Sequence, residues 1–302
     1  MEKSQILQAL LDRLWEKYRH RVSYAQKYTD LVIEKGGSVY NDHIALRTFN
    51  TITGEQPAGV DAISRIIEPL GYVQKDQYIF TAKQLTAWHW EHENDDFPKI
   101  FVSQLEVAQL SDETALLINQ SVDSAVDLIT EDDITLLQKL ATGEDLDSEK
   151  TTTLIDNLYT FFNRQWNAPK RAAIEKVNED SQYAAWTLLH GNSVNHFTAY
   201  INKQNVSEWP DLQSTVDGLK EAGVPMKEGI EGETGSKLIQ SSTKAIMETC
   251  EVIENDGTIG QLEWTYAYYE LAERGQVDGK LFQGFLGEQA THLFDMTKTD
   301  SE

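Results

Sequence analysis

The chain has 302 residues, 40% of them hydrophobic and 25% charged, with a formal net charge of −23. Such a composition fits a folded protein with a substantial core. The acidic excess excludes a surface that grips nucleic acid or anionic lipid.

Cys250 is the single cysteine, so neither an intrachain disulfide nor a cysteine-based metal site is available, and a reducing compartment is the natural setting. Met1 to Gln5 lead straight into an amphipathic period without a secretory apolar region. No apolar run approaches the ~18 residues of a membrane span. The expectation is a soluble, cytoplasmic protein with neither nucleic-acid nor membrane partners.

In chain order, Ile6, Leu10, Leu11, Leu14, Trp15 and Tyr18 recur at helical spacing from residue 4, with Ser4 as the expected cap. A second helical piece, 24–34, stops at Gly36-Gly37. Asn41 to Phe49 alternate as a strand, with His43, Ala45, Arg47 and Phe49 on one face and Ile44, Leu46 and Thr48 on the other. A loop around Gly54 and Pro57 and a short helix at 61–70 come next. Strands are expected at 77–80, 85–92 and 99–107, the last two flanking the acidic turn Glu93 to Asp96. Residues 107–190 read as a helical insertion of amphipathic periods separated by acidic turns.

Strand character returns at Val194 to Ile201, which places His196, Thr198 and Tyr200 on one face. A helix is expected at 209–222, strands at 238–251, a hairpin turn at Asn255-Asp256-Gly257 and a last long strand at 262–271. The expected fold is α+β and a single domain over 1–302. Two β-α-β-rich modules form a curved central sheet, preceded by a helical segment and separated by the insertion.

Seven histidines are present, and two of them, His43 and His196, hold equivalent places on the opening strands of the two modules. Glu270 stands at the end of a tyrosine-rich strand, where a buried carboxylate is costly unless paired or metal-bound. Two histidines and a carboxylate form the facial arrangement associated with non-haem Fe(II) and dioxygen, although the same ligand types also suit Zn or Mn. Arg47 shares the His43 face about 13 Å along the strand at ~3.3 Å per residue, and a guanidinium grips a carboxylate with paired hydrogen bonds.

Five phrases together resemble the 2-oxoadipate dioxygenase/decarboxylase family. They are Asp42-His43-Ile44-Ala45-Leu46-Arg47-Thr48-Phe49, Pro98-Lys99-Ile100-Phe101-Val102-Ser103, Gly191-Asn192-Ser193-Val194-Asn195-His196-Phe197-Thr198, Gln240-Ser241-Ser242-Thr243 and Tyr268-Tyr269-Glu270-Leu271-Ala272-Glu273-Arg274. The likeness runs over residues 40–275 and implies a vicinal-oxygen-chelate-like fold. It also implies Fe(II) on His43, His196 and Glu270, and Arg47 on a substrate carboxylate. The implied reaction is oxygen-dependent decarboxylation of 2-oxoadipate, or a related small 2-oxo acid, to a 2-hydroxy acid, a step of lysine degradation. Gln240 and Ser241 are then expected to contact substrate or a metal-bound water. This chain is shorter than members with that activity, which bears on the substrate.

Two further readings stay open. One is a glyoxalase-like isomerase or hydrolase using Zn or Ni on the same ligands; the other is a non-catalytic, metal-containing dicarboxylate-binding protein.

The remaining candidates carry bland expectations. Lys83 reads as a solvated strand-end lysine, and His89 and His92 face opposite ways on one strand. His190 sits at a helix end near terminal carbonyls, Tyr266 and Tyr268 share the Glu270 face, and His20 and His292 read as surface residues.

Overall fold

The computed structural model describes residues 1–233 and 235–286. Helices α1 (Lys3–Arg21) and α2 (Ser23–Glu34) lead into β1 (Asn41–Phe49), α3 (Asp61–Ile67), β2 (Tyr72–Phe80), β3 (Leu85–His92) and β4 (Lys99–Leu105). The insertion holds α4 (Asp112–Val122), α5 (Glu131–Ala141), α6 (Ser148–Phe161), α7 (Arg171–Asp180) and α8 (Gln182–His190). Then come β5 (Val194–Tyr200), α9 (Leu212–Glu221), β6 (Leu238–Ser242), β7 (Met247–Ile253), β8 (Ile259–Thr265) and β9 (Glu270–Arg274). A small hairpin, β10 (Gln276–Val277) and β11 (Lys280–Leu281), follows. No helix among the described residues is long and apolar enough to cross a membrane.

Seven strands form one mixed, curled half-barrel sheet in the order β2-β3-β4-β1-β5-β9-β6. The expected pair of modules is visible in the pairing. In the first, β4 lies parallel to β1; in the second, β9 lies parallel to β5; and the two opening strands meet antiparallel. Among the described residues the second module has no full counterpart of β2. Its place along the outer edge of β6 is taken by residues 226–231, tied by antiparallel bridges at Met226–Thr243 and Glu231–Gln240.

Alternation along the strands sorts the two faces. Ile44, Leu46, Phe197 and Leu271 bury into a core shared with Leu10, Leu14, Tyr28 and Val32 of the first two helices and Leu212 and Val216 of α9. The Trp15 and Tyr18 rings each lie 5.0 Å from Phe197, and burying such aromatic surface is the main reason the helices stay on that face. On the opposite face, Phe49 and Leu105 pack with Ile174, Leu188 and Leu189 of the insertion. Helix α8 therefore covers one end of the concave side, and the polar residues of β1, β5 and β9 line what remains.

Three expectations change. Helix α1 begins at Lys3, with Glu2 rather than Ser4 at its cap, and the Glu2 N–H donates to Gln5 Oε1 at 3.1 Å. Strand β2 reaches back to Tyr72; its exposed middle, residues 73–77, hides any alternation because it lies on the sheet edge. The long strand expected over 262–271 is two strands in two sheets. Among the described residues strand β8 pairs only with β7, and residues 266–269 carry the chain across to β9 in the main sheet. All four residues of that crossing are buried, so a continuous apolar run conceals the break.

Gly191, expected to end α8, does so with φ +62°, and a Cβ there would lie 2.4 Å from Arg164 Cα. Gly191→Ala is therefore expected to cost about 2 kcal/mol or more, read as a lower denaturation midpoint with an unchanged m-value. An unchanged midpoint would mean that the turn relaxes freely.

Candidate metal centre

His43, His196 and Glu270 come from three adjacent strands, and register brings them together: Ala45 opposes His196, His43 opposes Thr198, and Thr198 opposes Glu270. Glu270 Oε2 lies 3.0 Å from His43 Nε2 and 3.3 Å from His196 Nε2. All three side chains are buried, Glu270 completely. Among the described residues this is the one cluster of three such groups whose ligand atoms lie within 4.8 Å of one another.

Two β-bulges aim the imidazoles. The β1–β5 register shifts between Asn41 and His43 and again between Ala45 and Leu46, leaving Asp42 on β1 and Asn195 on β5 as the extra residues. A neighbour on a regular strand would face the other way; a bulge turns it. Asp42 Oδ1 thus accepts from His43 Nδ1 at 2.8 Å, and Asn195 Oδ1 from His196 Nδ1 at 3.1 Å. With both Nδ1 atoms engaged as donors, each Nε2 offers its lone pair to the centre, the arrangement found in metal-binding histidines.

Glu270 is held as firmly. Thr198 Oγ1 donates to Oε2 at 2.6 Å and Gln240 Nε2 donates to Oε1 at 3.0 Å. The Thr198 hydroxyl also lies 3.0 Å from His43 Nε2, but it has one proton. Among the described residues His196 Nε2 has no hydrogen-bond partner, and its 3.3 Å approach to Glu270 sets one lone pair against another. Two imidazole nitrogens and a carboxylate oxygen therefore converge on one point with too few protons between them, and a cation satisfies all three.

The three groups also perturb one another's titration. Burial alone would raise the Glu270 pKa, but the two imidazoles outweigh it and hold it at about 2. Burial lowers His43, yet Asp42 and Glu270 prevail and its pKa is raised. For His196 burial wins over Glu270 and the pKa is lowered.

Behind His43, Arg274 grips Asp42: Nη2 donates to Oδ1 at 2.8 Å and Nε to Oδ2. Burial would raise the Asp42 pKa, but Arg274 and then His43 hold it well below the usual carboxylate range. The Tyr268 ring stacks on His196 with centroids 4.9 Å apart, and the Phe285 ring meets His43 edge-on at 4.9 Å.

Arg47 is buried on the His43 face, its guanidinium 4.9 Å from the rings of both Tyr183 and Trp186 on α8. Gln240 reaches Glu270. Ser241, expected to contact substrate or a bound water, points the other way: it opposes Leu271, and its hydroxyl donates to Gly229 O at 3.4 Å. Tyr268 belongs to the centre, whereas Tyr266 stacks on Trp186 and donates to Val194 O.

His89 is buried between Tyr78 and Glu91, and His92 packs against Phe97. His190 approaches Thr265 O at 3.3 Å, His20 is exposed as expected, Lys83 is half-buried in the turn Thr81–Lys83, and His292 lies outside the described residues. Asp42, Asn195, Arg274 and Phe285 are missed by reading alternation alone. The repeated polar-His pair, Asp42-His43 and Asn195-His196, is the sequence signal that points to the first two.

The fold and the ligand set together define a curled half-barrel sheet carrying a buried His-His-carboxylate cluster suited to a metal. The profile of the 2-oxoadipate dioxygenase/decarboxylase family matches residues 8–299, and the chain belongs to that enzyme family. The chloroplastic 2-oxoadipate dioxygenase/decarboxylase of Arabidopsis thaliana is 26% identical over 247 residues, covering 77% of this chain and 58% of that protein; the chain thus spans less than two thirds of that relative's length. A glyoxalase-superfamily protein from Ralstonia eutropha JMP134 superposes with a TM-score of 0.86 at 27% identity, covering 94% of this chain and 87% of that one. A hydroxyglutarate synthase from Oryza sativa, solved with 2-oxoadipate, shares the fold at TM-score 0.76 and 21% identity, covering 99% of this chain and 94% of that one.

Three outcomes follow. His196→Ala is expected to lose stoichiometric metal, and Asp42→Asn to weaken metal binding roughly 10- to 100-fold, measured by competition with a chelator; full occupancy in His196→Ala would remove His196 from the ligand set. Burial, then Arg21, lowers the His190 pKa from 6.5 to about 3. Between those values the unfolded chain binds a proton that the folded chain refuses. Stability should fall on acidification by about 1.4 kcal/mol per pH unit from this group. His190→Gln should flatten the stability curve between pH 6 and 4 by one proton's slope; an equal slope would refute the assignment.

Proposed function

We propose that this chain is an Fe(II)-dependent oxygenase/decarboxylase that converts a small 2-oxo dicarboxylic acid, 2-oxoadipate or a shorter relative, to a 2-hydroxy acid with loss of carbon dioxide. The observation that carries this reading is the convergence of His43, His196 and Glu270 on one acceptor-rich point, with Arg47 on the same strand face. The donor set of two imidazoles and one carboxylate fits ferrous iron, as it does Zn or Mn. When bound, ferrous iron supplies the dioxygen redox chemistry and the Lewis acidity toward a 2-oxo acid.

The protein's own groups do the rest. Asp42 and Asn195 fix the imidazole tautomers, and Thr198 and Gln240 hold the Glu270 carboxylate so that its free lone pairs face inward. Arg47 receives the far carboxylate of the substrate. The rings of Tyr183 and Trp186 flank its guanidinium, holding it in plane and keeping bulk water from it, which strengthens its pairing with an anion. Four residues along β1 from His43, Arg47 measures the substrate: one end sits at the centre and the other at the guanidinium. Tyr268 and Phe285 give the centre apolar walls. Gln240 acts on Glu270 rather than on substrate. Cys250 as the single thiol suits a reducing, cytoplasmic setting.

An oxygen electrode with a panel of 2-oxo acids and added Fe(II) tests the reading. Oxygen uptake matched by carbon dioxide release supports it; stoichiometric zinc with no uptake on any 2-oxo acid would favour the glyoxalase-like isomerase. Arg47→Ala should keep its metal but lose roughly 100-fold in kcat/KM for dicarboxylic substrates. A monocarboxylic 2-oxo acid should be far less affected, and equal losses on both would remove Arg47 from substrate recognition.

A further inference from the structure

Arg274 does more than neutralise Asp42. Four of its five N–H donors are used in two directions. Nε and Nη2 fork onto the two Asp42 oxygens, and Nη1 donates to Phe282 O at 3.0 Å and Gly284 O at 2.9 Å. Asp42 Oδ1, the oxygen that accepts from Nη2, also accepts from His43 Nδ1 at 2.8 Å. The carbonyls belong to the segment that delivers Phe285, whose ring packs edge-on against His43 and lies 5.4 Å from the Arg274 guanidinium. The first module grips the same segment, because the Phe285 N–H donates to Tyr78 Oη at 3.3 Å and Tyr78 in turn pairs with His89 Nδ1 at 3.1 Å.

We propose that Arg274 is a positioning residue that makes metal binding at His43 and docking of residues 282–285 one cooperative event. This inference rests on the metal-centre reading above. The planar guanidinium is the reason: orienting Asp42 for His43 fixes the plane of the fork, and that plane sets where Nη1 points. A cation that locks His43 Nε2 narrows the positions open to Asp42 and Arg274, and so favours the docked segment. By reciprocity the docked segment favours the cation by the same factor. A lysine keeps the charge but presents no fork, so it can pair with Asp42 without ordering the carbonyls.

The test is hydrogen exchange read by mass spectrometry on peptides covering 276–286, with and without Co(II) as a redox-inert probe, alongside chelator-competition affinity. In the unsubstituted protein Co(II) should slow exchange of this segment at least tenfold. Arg274→Lys should bind Co(II) within about tenfold of the parent yet lose that protection. Arg274→Gln, if it folds, should lose 10- to 100-fold in affinity as well. Co(II) binding with no change in exchange in the unsubstituted protein would overturn the coupling while leaving the metal centre intact. Protection retained in Arg274→Lys would likewise overturn the role given to the fork. No Co(II) uptake at all would sink the metal reading and this inference with it.

Discussion

The antiparallel seam between β1 and β5 is the contact on which the rest of the molecule depends. It joins the two modules into one sheet, sets His43 beside Thr198 and Ala45 beside His196, and carries both bulges. A one-residue slip in this register would send the imidazoles to the helix-covered face. The opposite side of the same strands, Ile44, Leu46 and Phe197, is fixed by burial against α1 and α2. The hydrophobic effect, acting on one face, therefore positions the chemistry on the other.

Placing charge in that interior is expensive, and the structure offsets it by giving each buried carboxylate of the centre hydrogen-bond donors. Asp42 is shared between His43 and Arg274, and Glu270 between Thr198 and Gln240. A buried ion pair adds little net stability, but breaking it costs about 3–5 kcal/mol because the survivor stays buried and unpaired. Such pairs enforce a geometry. Here that geometry makes the two halves unequal: His43 is backed by a carboxylate, His196 by a neutral amide. The two nitrogen donors facing the centre therefore differ in basicity although they stand on the opening strands of corresponding modules.

Much of this is legible in the chain. Period-two alternation places His43 and Arg47 on one face and predicts the strand ends of β3 and β5 closely, because those strands are half polar and their pattern is clean. The two-module order follows from where helical and strand periods change. What alternation hides are departures from regularity. A bulge turns Asp42 and Asn195 inward against the period, and the buried run at 266–269 looks like a strand because both of its sides are covered. On β6 alternation turns Ser241 away, while Gln240 and Ser242 share the face of Glu270. The roles of Arg274 and Phe285 are invisible locally, because the bonds that tie each to the first module span more than 200 residues.

The break at 266–269 has an outcome for how the chain can grow. The strand entering the β7–β8 hairpin and the strand leaving it run side by side at its root, where Ile246 bonds reciprocally with Tyr266 and Ala267. The excursion thus closes on itself before Glu270 is reached. Extra sequence spliced between Asn255 and Gly257, at the far tip, would be charged only the logarithmic entropy of a longer loop. The ligand carboxylate would not feel it, so this tip is the natural point for relatives to acquire, or engineers to graft, a new appendage.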